Sequence, residues 1–216
     1  MIAICIGHSR KINGRTEGGA HSPHLAMNEH AFNSNVASRL SEILTNKGVK
    51  NFVVTQYEGN SYGSAMAYVA GECRSKGATL AIELHFNSAS TNATGHEWLH
   101  WHTSSKGREL ATKFDKAFSA NFPHHSRRGV KPIDASDRGG SFLSLTPCPA
   151  VILEPFFGSS LDDSAAFAGH DGAEILALTY ATAITGDTPS SPVQPVKPSL
   201  TIEERVARIE KTLNIK

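Results

Sequence analysis

Two runs of this chain, Ile2–Ile6 and Ala150–Leu153, contain no charged or hydroxyl-bearing side chain. A strand that is apolar on both faces must be buried on both, the condition of interior strands in a sheet covered by helices. Further strand-like runs at 51–56, 80–86 and 97–102, and the extension of the last apolar run to 157, are rich in Ile, Val, Leu, Phe and Trp. Helical patterns separate them. The segment 27–47 places Met27, Phe32, Val36, Leu40 and Leu44 on one stripe, and Gly48 supplies a stop. Helices also fit 61–76, 104–121 (with Leu110, Phe114 and Phe118 in register) and 162–185, the last broken near Gly169–Gly172. Strands alternating with helices predict one α/β domain over residues 1–186, with a twisted, mostly parallel central sheet flanked by helices.

After Gly186 the composition shifts. Residues 187–199 are proline-rich and predict a semi-rigid extended linker. Residues 200–216 predict a short amphipathic helix, with Thr201 as N-cap and Ile202, Val206, Ile209 and Leu213 in coiled-coil spacing. Such a helix has no core of its own. It either docks on its own domain or associates between copies, and the proline spacer favours a homo-oligomer formed through 200–216.

A net charge of +1 gives no electrostatic footprint for nucleic acid. Two small basic clusters, Arg10/Lys11/Arg15 and Arg127/Arg128, read as solvated loops. Cys5, Cys73 and Cys148 are odd in number and lack C-x-x-C spacing, as in a chain made in the cytosol with reduced thiols. No run approaches the roughly 20 apolar residues of a membrane span. The first residues read as a strand rather than a signal peptide.

Four segments carry the chemistry: Gly7-His8 after the first strand, Asn28-Glu29 opening the first long helix, Glu83-Leu84-His85-Phe86-Asn87, and Glu154 ending the last strand. Alternation along 80–86 puts Ala81, Glu83 and His85 on one face and Leu80, Ile82, Leu84 and Phe86 on the other. Two imidazoles and a carboxylate make the ligand set of an open catalytic zinc site, with a further carboxylate free to act as general base. His8, Glu29 and His85 are 21 and 56 residues apart along the chain. A lone histidine at a strand end is more often structural, and Glu29 alone is explained by the helix macrodipole. Spacing by itself leaves the two readings level.

Taken in order, these segments resemble the zinc-dependent N-acetylmuramoyl-L-alanine amidases of the Amidase_3 type, which include phage endolysins. Leu84-His85-Phe86-Asn87 resembles the family's Ser-Ile-His-Ala-Asn, and the run 149–157 resembles its Pro-Ala-Val-Leu-Val-Glu-x-Gly-Phe. The resemblance implies His8, Glu29 and His85 as Zn2+ ligands and Glu154 as the catalytic carboxylate. It implies cleavage of the bond between N-acetylmuramic acid and L-alanine in peptidoglycan, with no membrane insertion. An endolysin of this kind accumulates in the host cytoplasm and reaches the wall through a holin-type lesion.

Three places depart from the family pattern: Glu83, Phe156, and Ser159-Ser160, which stands where an asparagine often ends the last motif. Glu83 stands where a serine is usual; it orients His85, competes as a ligand, or adds negative charge. Phe156 replaces the usual glycine. Arg10, Arg15, Asn87 and Glu83 are the candidate substrate contacts, the first two on a polar, glycine-rich loop (10–24) that reads as a rim of the groove. Asp134–Ser141 reads as the opposite wall. His21, His24, His96, His100, His102, His124 and His125 read as surface or packing residues. Two rival functions survive: a zinc peptidase cutting within the stem peptide, and a non-catalytic peptidoglycan-binding module.

Overall fold

Strand β1 (Ile2–Ile6) is buried at every position, as its unbroken apolar sequence requires. The structure, a computed structural model, describes residues 1–55, 57, 58, 61–169 and 171–187. The expected helix 200–216 and nearly all of the linker lie outside these residues. After β1 come four short strands, β2 (Arg10–Ile12), β3 (Arg15–Thr16), β4 (His21–Ser22) and β5 (Met27–Asn28), and then helix α1 (Glu29–Asn46). Strands β6 (Asn51–Val54) and β7 (Tyr57–Glu58) precede helix α2 (Tyr62–Ser75) and strand β8 (Leu80–Leu84). Strand β9 (His96–Trp101), helix α3 (Ser105–Asn121), strand β10 (Arg127–Ile133) and helix α4 (Gly140–Leu145) follow. Strand β11 (Ala150–Glu154) and helices α5 (Leu161–Ala165) and α6 (Gly172–Thr185) complete the described domain.

Six strands form the central sheet in the order β10-β9-β11-β8-β1-β6. Every neighbouring pair is parallel except β11 and β9, so the sheet is mostly parallel, as expected. On one face Ile4, Ile6, Ile82, Leu84 and Leu153 pack under α1, α3 and α6, which contribute Phe32, Val36, Phe114, Leu176 and Tyr180. On the other, Ala3, Cys5, Ala81 and Ile152 meet Ala65, Met66 and Val69 of α2 and Phe142 of α4. Cys5, Cys73 and Cys148 are free thiols. Among the described residues no helix is long and apolar enough to cross a membrane.

The differences from expectation have local causes. Helix α1 starts at Glu29 rather than 27 because Met27 and Asn28 pair with Ser22 and His21. Asn28 is then the N-cap, its Oδ1 accepting from Ala31 N at 2.8 Å. The interruption expected near 169–172 separates α5 from α6, and a β-carbon at Gly172 would meet Phe167 O at 1.9 Å. The largest miss is β10. Arg127 and Arg128 lie on an edge strand, not a solvated loop. Pro132 is tolerated there because an edge strand need not donate along its outer side. Trp98 is fully buried, and its Nε1 donates to Asp115 Oδ1 at 3.3 Å. In the polar loop after β1, Asn13 (φ 52°) and Gly14 (φ 76°) turn β2 into β3 as an Asn-Gly hairpin.

Candidate metal centre

Strand β1 hands over to Gly7 and His8 at the carboxyl edge of the sheet, where open α/β folds collect ligands. His8 sits at φ 55°, a left-handed conformation that a residue with a β-carbon adopts at a cost. The glycine before it, Gly7, makes room for a ring. A β-carbon there would lie 2.3 Å from His85 Cε1, so the glycine is what lets the His85 ring lie across the backbone. His85 leaves the end of β8, its backbone N donating to Leu153 O on β11.

Glu29 is the first residue of α1 and is nearly fully buried. Its Oε1 lies 2.7 Å from His85 Nδ1 and accepts from Phe86 N at 3.2 Å; its Oε2 lies 3.4 Å from His8 Nε2. One ligand-capable atom from each of His8, Glu29 and His85 falls within 4.8 Å of the others. The segment 18–20 straps this cluster together. Gly18 N donates to His8 O, His30 N to Gly18 O, Glu29 N to Ala20 O, and Ala20 N to Glu29 Oε2. A β-carbon at Gly19 would strike His8 Cδ2 at 2.6 Å and Glu29 Oε2 at 2.7 Å.

The electrostatics ask for a cation. Burial alone would lower the His85 pKa, but Glu83 and Glu29 outweigh it and hold the imidazole well above its usual range. Burial alone would raise Glu29; the hydrogen bond from His85 and the two nearby imidazoles bring it below the usual value. Glu154 follows Leu153, whose partner in β8 is Leu84, so it emerges beside His85. Its Oε2 is buried with no hydrogen-bond partner among the described residues. Burial pushes its pKa up to about 8; His85 opposes the rise, and Glu29, Glu97 and Glu83 add to it. Two imidazoles and a buried carboxylate, among further carboxylates, form a donor set that fits a divalent ion such as zinc.

The other candidates divide. Glu83 is buried, with Oε2 at 3.2 Å from His85 Nε2. Asn87 donates through Nδ2 to Glu97 Oε1 at 2.8 Å. Arg10 is engaged by Glu17 at 3.1 Å, while Arg15 is exposed on β3. Asp134 does not begin an opposite wall: β9 runs against β11, so β10 delivers it to the far end of the sheet. Phe156 points inward, stacked on Phe167 at 4.5 Å and beside Phe86. Of the histidines assigned to packing, His96 and His100 are buried, and His96 lies 4.6 Å from the Phe118 ring.

Sequence reading missed Glu17 and the group around Glu97. The antiparallel register sets Glu97 opposite Glu154, and Glu97 Oε2 accepts from Arg128 at 2.7 Å and Lys131 at 2.5 Å. No local pattern reveals that register.

Residues 2–186 match the family model described as N-acetylmuramoyl-L-alanine amidase, Amidase_3. No curated protein sequence matches the chain. Among solved structures it is similar to the catalytic domain of the CD27L endolysin targeting Clostridia difficile, with a TM-score of 0.69 and 25% identity over 87% of this chain and 97% of that one. It is also similar to the catalytic domain of CwlV, an N-acetylmuramoyl-L-alanine amidase from Bacillus (Paenibacillus) polymyxa var. colistinus, with a TM-score of 0.70 and 19% identity over 86% and 96% of the two chains. The amidase AmiC2 of Nostoc punctiforme shares the fold, with a TM-score of 0.70 and 17% identity over the same shares, 86% and 96%. With the family model spanning the whole described domain, the chain belongs to the N-acetylmuramoyl-L-alanine amidases of the Amidase_3 family.

Proposed function

We propose that the chain is a zinc-dependent peptidoglycan amidase acting as a phage endolysin, with His8, Glu29 and His85 holding the ion and Glu154 carrying the proton. The observation that supports this most is the convergence of three ligand-capable atoms within 4.8 Å beside Glu154, whose buried Oε2 has no hydrogen-bond partner among the described residues. Zinc bound there supplies Lewis acidity, acidifying water and polarising the scissile carbonyl. Glu154 accepts a proton from the attacking water and returns it to the departing L-alanine nitrogen as the amide to the lactyl group breaks. A carboxylate pushed up to about 8 is a base matched to near-neutral pH, and in its protonated form an acid for the second half. Asn87, Arg128 and Lys131 hold Glu97 at the strand end next to Glu154, which keeps that edge of the site rigid. The likeness to the CD27L catalytic domain supports the endolysin assignment. The apolar spacing of 200–216 supports association between copies, read as the mass of the full chain in solution.

Mass spectrometry of purified peptidoglycan digested by the protein tests the reaction. Stem peptides beginning at L-alanine, released by the zinc-loaded protein and lost with chelator, are the expected products. Cuts inside the stem make it a peptidase, and untouched peptidoglycan makes it a binding module. Glu154→Gln retains zinc and loses about 10²–10⁴-fold in rate; a rate within a few-fold of wild type removes Glu154 from the role.

A further inference from the structure

Each imidazole of the cluster turns one ring nitrogen to Glu29 and the other to a different carboxylate. His85 presents Nδ1 to Glu29, while its Nε2 lies 3.2 Å from Glu83 Oε2. His8 is arranged the other way round, with Nε2 toward Glu29 and Nδ1 3.7 Å from Glu17 Oε1. We propose that Glu83 and Glu17 are positioning residues that hold the two imidazoles in opposite tautomers, so that His85 offers Nδ1 and His8 offers Nε2 to one cation.

This rests on the metalloamidase reading and adds the part of the site that orients the ligands. A ligating histidine needs its second nitrogen protonated and hydrogen-bonded, because that bond sets the ring's tautomer and angle and raises the basicity of the ligating nitrogen. Glu83 is built for this. Its side chain is 3% exposed, and His85 is its ion-pair partner among the described residues. A carboxylate in that position costs several kcal/mol to desolvate unless a cationic or hydrogen-bonding partner offsets it. It lies on β8 two residues before His85, on the same side of the strand, so the pleat aims both at one place. The serine usual in the family can offer the imidazole a hydrogen bond, and the carboxylate adds a full negative charge.

Glu17 does the same from the loop side. Its own position is held twice, by its N–H donating to Arg10 O at 2.8 Å and by Arg10 Nε at 3.1 Å from Oε2. Arg10 therefore acts on the centre through Glu17, with Glu17 and His8 standing between it and the cation.

The test is zinc affinity of the full chain without substrate, by competition with a chromophoric chelator, together with the ring ¹⁵N shifts of the zinc-loaded wild type. Glu83→Ala is expected to weaken zinc by about 10–100-fold, with Glu83→Gln recovering most of the loss because its amide oxygen still accepts from Nε2–H. Glu17→Ala, on an exposed loop, is expected to weaken it several-fold with the unfolding midpoint unchanged. The shifts are expected to show His85 bound through Nδ1 with a protonated Nε2, and His8 the reverse. Both histidines bound through the same type of nitrogen would overturn the proposal, whether or not Glu83→Ala folds. So would zinc affinities within two-fold of wild type, or Glu83→Gln as weak as Glu83→Ala. A wild type that takes up no zinc removes the metalloamidase reading itself, whereas a loaded wild type with unaffected variants removes only the roles of Glu83 and Glu17.

Discussion

At Gly7 the missing side chain and the neighbouring positive φ serve different ends. The space above Gly7 is filled by the His85 ring, while the left-handed backbone belongs to His8, with Ser9 Oγ donating back to Ile6 O at 2.6 Å. A methyl group at position 7 therefore acts on the His85 ring, 78 residues away, rather than on the turn. Gly7→Ala is expected to displace the ring by about an ångström and to lower turnover by about 10²-fold. The unfolding midpoint should move much less, since the strand before it can stay in register. The rate on purified peptidoglycan and a thermal melt check this together; wild-type turnover would mean that the ring can sit elsewhere.

At the scale of elements, β11 does two jobs within seven residues. It delivers Glu154 to the site, and two residues later it sends Phe156 into the core among Phe32, Phe86 and Phe167. Phe156→Ala is expected to cost about 3–5 kcal/mol by opening a cavity in that cluster. This should lower the melting midpoint by roughly 2–4 °C for each kcal/mol; a midpoint within 2 °C of wild type would mean that the cluster closes over the gap. The interior strands were legible because Ile2–Ile6 and Ala150–Leu153 are apolar on both faces. Helices α1 and α3 were legible from their apolar stripes. His8, Glu29, His85 and Glu154 stood out because each ends or opens such an element. Strand β10 was not legible, since Arg127–Ile133 mixes charge, glycine and proline in a way only an edge strand accepts. Glu97 and Glu17 were hidden for another reason. The first depends on one antiparallel register among parallel ones, and the second on a hairpin folding back over His8.

For the molecule as a whole, the site makes the metal-free fold sensitive to alkali. Glu154 has a folded pKa of about 8 against 4.5 as its ordinary value, so between those values the folded chain keeps a proton that the unfolded chain has released. The stability this group contributes is full below about 4.5 and is lost as pH rises through 8. In chelator, the unfolding midpoint is expected to fall between pH 5 and 9, and Glu154→Gln is expected to flatten that slope. An equal slope in both proteins would assign it to other groups. The strap at 18–20 has a consequence for how such a protein can diverge. The Asn13–Gly14 turn is exposed, and a β-carbon at Gly14 would meet no atom within 4 Å, so residues can be inserted there. Four residues on, the backbone is tied at once to His8 and to Glu29, and any change of length would separate those two side chains. One loop thus holds a stretch open to drift and a stretch closed to it, and its tip can change while the centre is inherited intact.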